Sequence, residues 1–168
     1  MLEVEIKAQS SATAEEGVRR LGKFLHCEAQ ADTYFQHPSR DFRKTDEALR
    51  IREAGGKYLL TYKGPKAAGD LKIRKEIESP VQKNAFDLLE SLGFSKALLV
   101  KKTREHYSLE GFDVSIDDVE GLGRFIEIES KSVGDSKKIT VLAEKLGLKK
   151  QSLTTKSYSE LLEEARLS

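Results

Sequence analysis

Most of this chain alternates with a period of two, and the polar half of that alternation is almost wholly ionised. Leu2, Val4 and Ile6 alternate with Glu3, Glu5 and Lys7. A β-strand puts such sets on opposite faces. The pattern recurs at 48–53, where Leu49 and Ile51 oppose Arg50 and Arg52. At 57–63, Tyr58, Leu60 and Tyr62 oppose Leu59, Thr61 and Lys63. At 71–78, Leu71, Ile73 and Ile77 oppose Lys72, Arg74, Glu76 and Glu78. At 112–117, Phe112, Val114 and Ile116 oppose Asp113, Ser115 and Asp117, and at 124–129 Ile126 and Ile128 oppose Phe125, Glu127 and Glu129. Two more strands are expected at 28–35 and at 98–107, where Val100, Lys102, Arg104 and His106 share a face.

Four segments have helical spacing: 13–25, 80–92 (opened by Ser79-Pro80 and stopped at Gly93), 136–146 before Gly147, and 157–166. Gly55-Gly56, the stretch from Gly64-Pro65 to Gly69, and Gly121-Leu122-Gly123 read as turns or loops. No repeat or Pro/Ser-rich linker divides the chain, so one α+β domain over 1–168 is expected.

Bulk numbers exclude several classes. Lys+Arg (29) and Asp+Glu (28) nearly cancel, which leaves no net field to steer nucleic acid. Cys27 is the only cysteine, so neither an intrachain disulfide nor a cysteine zinc site can form, and a cytoplasmic setting is expected. No signal-peptide core opens the chain and no run nears the roughly 18 apolar residues of a membrane helix, so no membrane association is expected. The expected assembly is a monomer or a homodimer.

The charged faces pose the central question. One arrangement is an open sheet with those faces in solvent. However, about eight strands of this pattern twist and tend to close. Closure with the apolar face inward leaves the helices nothing to cover. Closure with the charged face inward gives them an apolar exterior and makes a closed antiparallel eight- or nine-stranded tunnel with a charged lumen. Eight Lys/Arg and seven carboxylates then face each other. Ions removed from water must pair, stay hydrated or await a charged ligand. The cations suit a polyphosphate, and the clustered carboxylates suit a hard divalent ion, Mg²⁺ or Mn²⁺. Membrane barrels of porin type also alternate, but the helical segments argue against one.

Glu3-Val4-Glu5-Ile6-Lys7 is an ExExK motif. In order along the chain follow Asp32-Thr33-Tyr34-Phe35, Ala48 to Arg52, Tyr62-Lys63-Gly64-Pro65, Arg74 to Glu78, Lys102-Thr103-Arg104, Ile116 to Gly123, Phe125 to Glu129 and Ser157-Tyr158. Together these resemble the CYTH superfamily of triphosphate tunnel metalloenzymes, most of all its class IV adenylate cyclase branch. The resemblance implies a triphosphate substrate, nucleoside or other, and dependence on Mg²⁺ or Mn²⁺. It implies that Lys7, Arg50, Arg52, Lys63, Arg74, Lys102 and Arg104 bind the triphosphate. It makes Glu3, Glu5, Glu127 and Glu129 the metal carboxylates, with Glu76, Glu78 and Asp117 as further candidates. Lys7, Arg52, Lys102 and Asp117 are expected to act in the chemical step. Relatives of this kind make cyclic AMP and pyrophosphate from ATP, or hydrolyse thiamine triphosphate or inorganic triphosphate.

Each position also has a reading of its own. Glu3 and Glu5 lie about 7 Å apart on one side of a strand, which suits an ion or two solvated glutamates equally. Arginine forks can grip phosphate or the tunnel's own carboxylates. Asp117 is either a tunnel carboxylate or a turn cap. Lys72 shares the inward parity but stands outside the expected core site. His26, His37 and His106 have no metal-motif spacing, and Tyr34 and Tyr158 are expected to pack or cap the barrel. Glu5→Gln and Arg52→Ala are expected to abolish turnover without unfolding the chain.

Overall fold

The computed structural model describes residues 2–67 and 71–167. Its strands are β1 (Leu2–Gln9), β2 (Lys23–Gln36), β3 (Ala48–Ala54), β4 (Lys57–Lys66), β5 (Lys72–Val81), β6 (Ser95–Leu109), β7 (Phe112–Val119), β8 (Gly123–Ser130) and β9 (Leu153–Thr154). Helices α1 (Ala12–Leu21), α2 (Ala85–Ser91), α3 (Ser136–Lys145) and α4 (Tyr158–Leu167) lie between and after them. The sheet runs β5-β4-β3-β2-β6-β7-β8-β1, and β5 pairs again with β1, from Leu2↔Lys75 to Glu5↔Lys72. All these pairings are antiparallel, so eight strands close a barrel. Where β5 leaves β1, β9 takes over at Lys7 and Ala8. The expectation of eight or nine strands thus resolves into eight that close the wall and a two-residue ninth beside it.

The charged face is inside. On β1, Val4, Ile6 and Ala8 point outward and are buried with Val114 and Ile116 of β7 and Ile126 and Ile128 of β8. Over them lie Ala14 and Val18 of α1 and Ile139, Leu142 and Ala143 of α3. A second outer cluster joins Phe35, Leu49 and Ile51 to Ala85 and Leu89 of α2. A third cluster is inside the barrel. Leu98, Val100, Val119 and Phe125 follow the inward parity of Lys102, Asp117 and Glu127, and Tyr158 and Leu162 of α4 pack on them as an apolar plug at one end.

Two helices differ from expectation. α1 is capped by Ser11, whose Oγ accepts from the Ala14 N–H at 3.2 Å, and it ends at Leu21 rather than 25. The long β6 offers a ladder to Lys23 and Phe24, opposite Ser108 and Tyr107, and the backbone takes it. Ser79-Pro80 opens no helix. Pro80 sits in β5 opposite Leu59 of β4. Among the described residues β1 covers the other edge of β5 from Lys72 to Lys75, well short of Pro80, and a proline is tolerated where that edge is bare. Gly55 and Gly56, at φ 54° and 74°, make the two-residue hairpin from β3 to β4 that requires left-handed backbone twice. Of the loop expected from Gly64 to Gly69, Gly64, Pro65 and Lys66 instead end strand β4, after a register shift beyond Lys63, and residues 68–69 fall outside the described residues. No helix among the described residues is long and apolar enough to cross a membrane.

Candidate active site

The barrel encloses a cavity of about 610 Å³. Glu3, Glu5, Lys7, Arg50, Arg52, Lys63, Lys72, Arg74, Glu76, Lys102, Arg104, Glu127 and Glu129 all line it. Strand parity places them there, because each wall strand turns alternate side chains inward. The plug closes one end, whereas exposed Leu25, Glu78, Asp113 and Lys131 border the other, open end.

Near the plug the charges are matched. Arg104 donates from Nε and Nη2 to Asp117 at 2.6 and 2.5 Å and bonds Glu127 as well. Lys102 reaches Asp117 at 3.3 Å, and the Tyr158 hydroxyl donates to the same carboxylate at 2.7 Å. Asp117 is therefore a tunnel carboxylate and not a turn cap. Burial works against its charge, but Arg104 and Lys102 prevail and hold its pKa down. Tyr158 caps the barrel as expected, with its ring under the Lys7 and Lys102 ammonium groups at 4.4 and 4.8 Å.

Across the lumen, Arg52 grips Asp32 with a two-pronged contact at 2.7 Å on each oxygen, and Arg50 adds a third at 3.3 Å. Asp32 is buried and was not among the expected site residues. Its parity with Gln30 and Glu28 was the available signal. Lys72, also left aside, is buried and bonds Glu5 at 2.8 Å. Glu5 holds Lys7 too, at 2.8 Å. Burial tends to raise the Glu5 pKa, yet Lys7 and Lys72 bring it down to about 2. Glu5→Gln would remove the carboxylate that Lys72 bonds and leave Lys7 with Glu127, at 2.9 Å, so this geometry does not support the expectation that the fold is spared. Lys63 bonds Glu76 at 2.8 Å and Glu3 at 3.1 Å. Arg74 is in the wall, but its donors go to the carbonyls of Gly64, Asp46 and Lys63, where they fasten the irregular end of β4. Glu78 lies at the exposed rim and accepts from Thr61 at 3.1 Å.

Toward the open end the balance changes. Oxygens of Glu3, Glu5 and Glu129 all lie within 4.8 Å of one another. Burial first, then Glu127 and Glu3, raise the Glu129 pKa to about 8. Burial and a hydrogen bond with Glu76 raise Glu3 to about 7. Glu129 reaches Arg104 only at 3.9 Å. Three converging carboxylates, of which Glu3 shares Lys63 with Glu76 and Glu129 has only the distant Arg104, fit a hard divalent cation. Burial, then Arg104, hold Lys102 down at about 7. Arg50 Nε and Ser115 Oγ are buried with no hydrogen-bonding partner among the described residues, as an anion or water in the lumen would require.

Comparison with known proteins agrees with this geometry. A Methanocaldococcus jannaschii protein provisionally named an adenylate cyclase is 42% identical over 96% of this chain and 98% of its own. A solved structure of a Pyrococcus horikoshii protein superposes with a TM-score of 0.88 at 43% identity, over 96% of this chain and 98% of that one. A Hippeastrum protein provisionally named an adenylyl cyclase and described as having a dominant triphosphatase activity shares the fold at a TM-score of 0.71, over 97% of this chain and 95% of that one, with 16% identity. The model of the CYTH domain matches residues 1–158, and the chain belongs to that family.

Proposed function

We propose that the chain is a divalent-metal-dependent enzyme acting on triphosphates, and specifically an adenylate cyclase that converts ATP to cyclic AMP and pyrophosphate. The observation that carries this reading is a closed lumen in which buried Lys and Arg surround three converging carboxylates, two of which, Glu3 and Glu129, are held above the usual carboxylate range. The name of the Methanocaldococcus relative supports the cyclase branch.

In this reading Glu3, Glu5 and Glu129 hold Mg²⁺ or Mn²⁺, with Glu127 and Glu76 beside them. Such an ion, when bound, neutralises the carboxylates and polarises phosphate oxygens. The protein's own groups do the rest. Arg52 and Arg50 exchange part of their hold on Asp32 for phosphate oxygens, and Lys63 and Lys7 contribute point charges from neighbouring strands. Once that exchange is made on binding, the donors are in place before the chemical step, so charge developing on the pyrophosphate leaving group is stabilised without further reorganisation. Lys102, at about 7, is divided between charged and neutral forms near neutral pH, the range in which a group can accept a proton from the ribose hydroxyl. Asp117 and Tyr158 hold Lys102 and Arg104 in place, and the apolar plug directs substrate to the open end.

Incubation with ATP, thiamine triphosphate or tripolyphosphate, each with Mg²⁺ or Mn²⁺, tests the reading by product identity. Cyclic AMP and pyrophosphate are expected. Orthophosphate from any of the three would reassign the tunnel to hydrolysis, and tight binding without turnover would reduce it to a binding module.

A further inference from the structure

We propose that His26, Glu28 and His106 form a second divalent-metal site in the barrel wall, suited to ions that prefer imidazole, such as Zn²⁺. This site does not depend on the chemistry assigned to the lumen. The two histidines are far apart in sequence but directly opposite each other across β2 and β6. A β-bulge creates the pairing. Phe24 faces outward against Tyr107 (ring centroids 5.5 Å apart), and strict alternation would turn His26 outward as well. The register shift between Phe24 and His26 puts His26 on the same side as His106 instead. Glu28, two residues along β2, completes the group, and one ligand atom from each residue lies within 4.8 Å of the others.

Three features mark the cluster as more than packing. His106 Nε2 is buried with no hydrogen-bonding partner among the described residues, and Glu28 Oε1 stands 3.4 Å from it. The Gln30 amide donates to Glu28 Oε1 at 2.6 Å and holds the carboxylate in place beside the two rings. Arg104, two residues from His106 on the same face, is already neutralised by Asp117 and Glu127.

The rings now stack at 15° with centroids 4.2 Å apart, so their in-plane lone pairs run parallel. Convergence to the roughly 3.3 Å ligand spacing of a tetrahedral zinc site needs a turn of the exposed His26 ring. Two imidazoles and one carboxylate leave a fourth position for water and favour Zn²⁺, Ni²⁺ or Co²⁺, whereas the all-oxygen cluster of Glu3, Glu5 and Glu129 favours Mg²⁺.

The test is a Zn²⁺ titration of untagged protein in excess Mg²⁺, followed calorimetrically, with Co²⁺ absorption as a reporter of nitrogen ligation. One equivalent is expected to bind, and His26→Ala to weaken it by at least about tenfold, the loss that even an outer partner of a ligand produces. Glu129→Gln is expected to leave the affinity unchanged. Imidazole nitrogen resonances of His26 and His106 should shift on Zn²⁺ addition while those of His37 stay. Equal affinity in wild type and His26→Ala, or loss of the Zn²⁺ equivalent in Glu129→Gln, would overturn the site.

Discussion

Asp117 and Glu129 face the same lumen from neighbouring strands, yet their surroundings drive them in opposite directions. Asp117, fully buried at the plug, has Arg104, Lys102 and Tyr158 around it and stays ionised. Glu129 borders the cavity, retains 27% of its side-chain surface, and faces Glu127 and Glu3 with only a distant guanidinium. One carboxylate completes a network that the protein supplies by itself. The other is left in a state that a bound cation would relieve. The two ends of one tunnel thus divide into a structural half and a half that awaits a ligand.

That division is most sharply broken by substitution. Glu129→Gln is expected to lower turnover by about 100-fold or more, the scale of losing one preorganised electrostatic group, while unfolding by denaturant changes little. Asp117→Asn should reverse the pattern of stability. Removing one partner of a buried ion network costs about 3–5 kcal/mol, and the denaturant midpoint should fall accordingly. If Glu129→Gln proved the less stable of the two, the contrast between the halves would be wrong.

Metal addition sharpens the same contrast at smaller amplitude. A saturating ion that binds only the folded form stabilises by about 2.7 kcal/mol at a hundredfold excess over Kd. Thermal unfolding should show an upward shift with Mg²⁺ or Mn²⁺ in wild type and in Asp117→Asn, and none in Glu129→Gln. The dependence on pH probes the same carboxylates. In metal-free protein Glu3 and Glu129 have pKa values raised from 4.5 to about 7 and 8, so the folded form binds more protons than the unfolded one. Their contribution is full below pH 4.5 and is lost as pH rises through 7 and 8. Lys102 and Lys72, lowered to about 7 and 8, act in the opposite sense above pH 7, and His106, lowered from 6.5, opposes the carboxylates between pH 5 and 7 equally in both proteins, so the test is the difference between wild type and Glu129→Gln in that window. Stability there should fall with rising pH in chelator, and fall less in Glu129→Gln.

Much of this was legible in the residues alone. Period two with ionised polar faces gave the strands and the inward side, because helices need an apolar wall to cover. Val4, Ile6 and Ala8 beneath α3 and α1 bear that out. The paired motifs located the lumen residues, since parity fixes a face without knowledge of the fold. What parity does not carry is who partners whom. Asp32 was passed over because its role comes from Arg50 and Arg52 on the neighbouring strand, a fact of register. Arg74 has inward parity, but the irregular end of β4 diverts its donors to carbonyls. Pro80 signals a helix start locally and is a strand residue only because the neighbouring edge is bare. His26 met His106 only through a bulge that alternation would not predict.

The most direct test is a crystal structure with Mn²⁺ and a non-hydrolysable ATP analogue, in which the metal is located by its anomalous signal. The account predicts manganese against Glu3, Glu5 and Glu129, the phosphate chain inside the barrel among Arg50, Arg52, Lys63 and Lys102, and Asp117 still bound to Arg104. Nucleotide on the outer wall, with no metal at the three glutamates and every lumen ion pair unchanged, would contradict it.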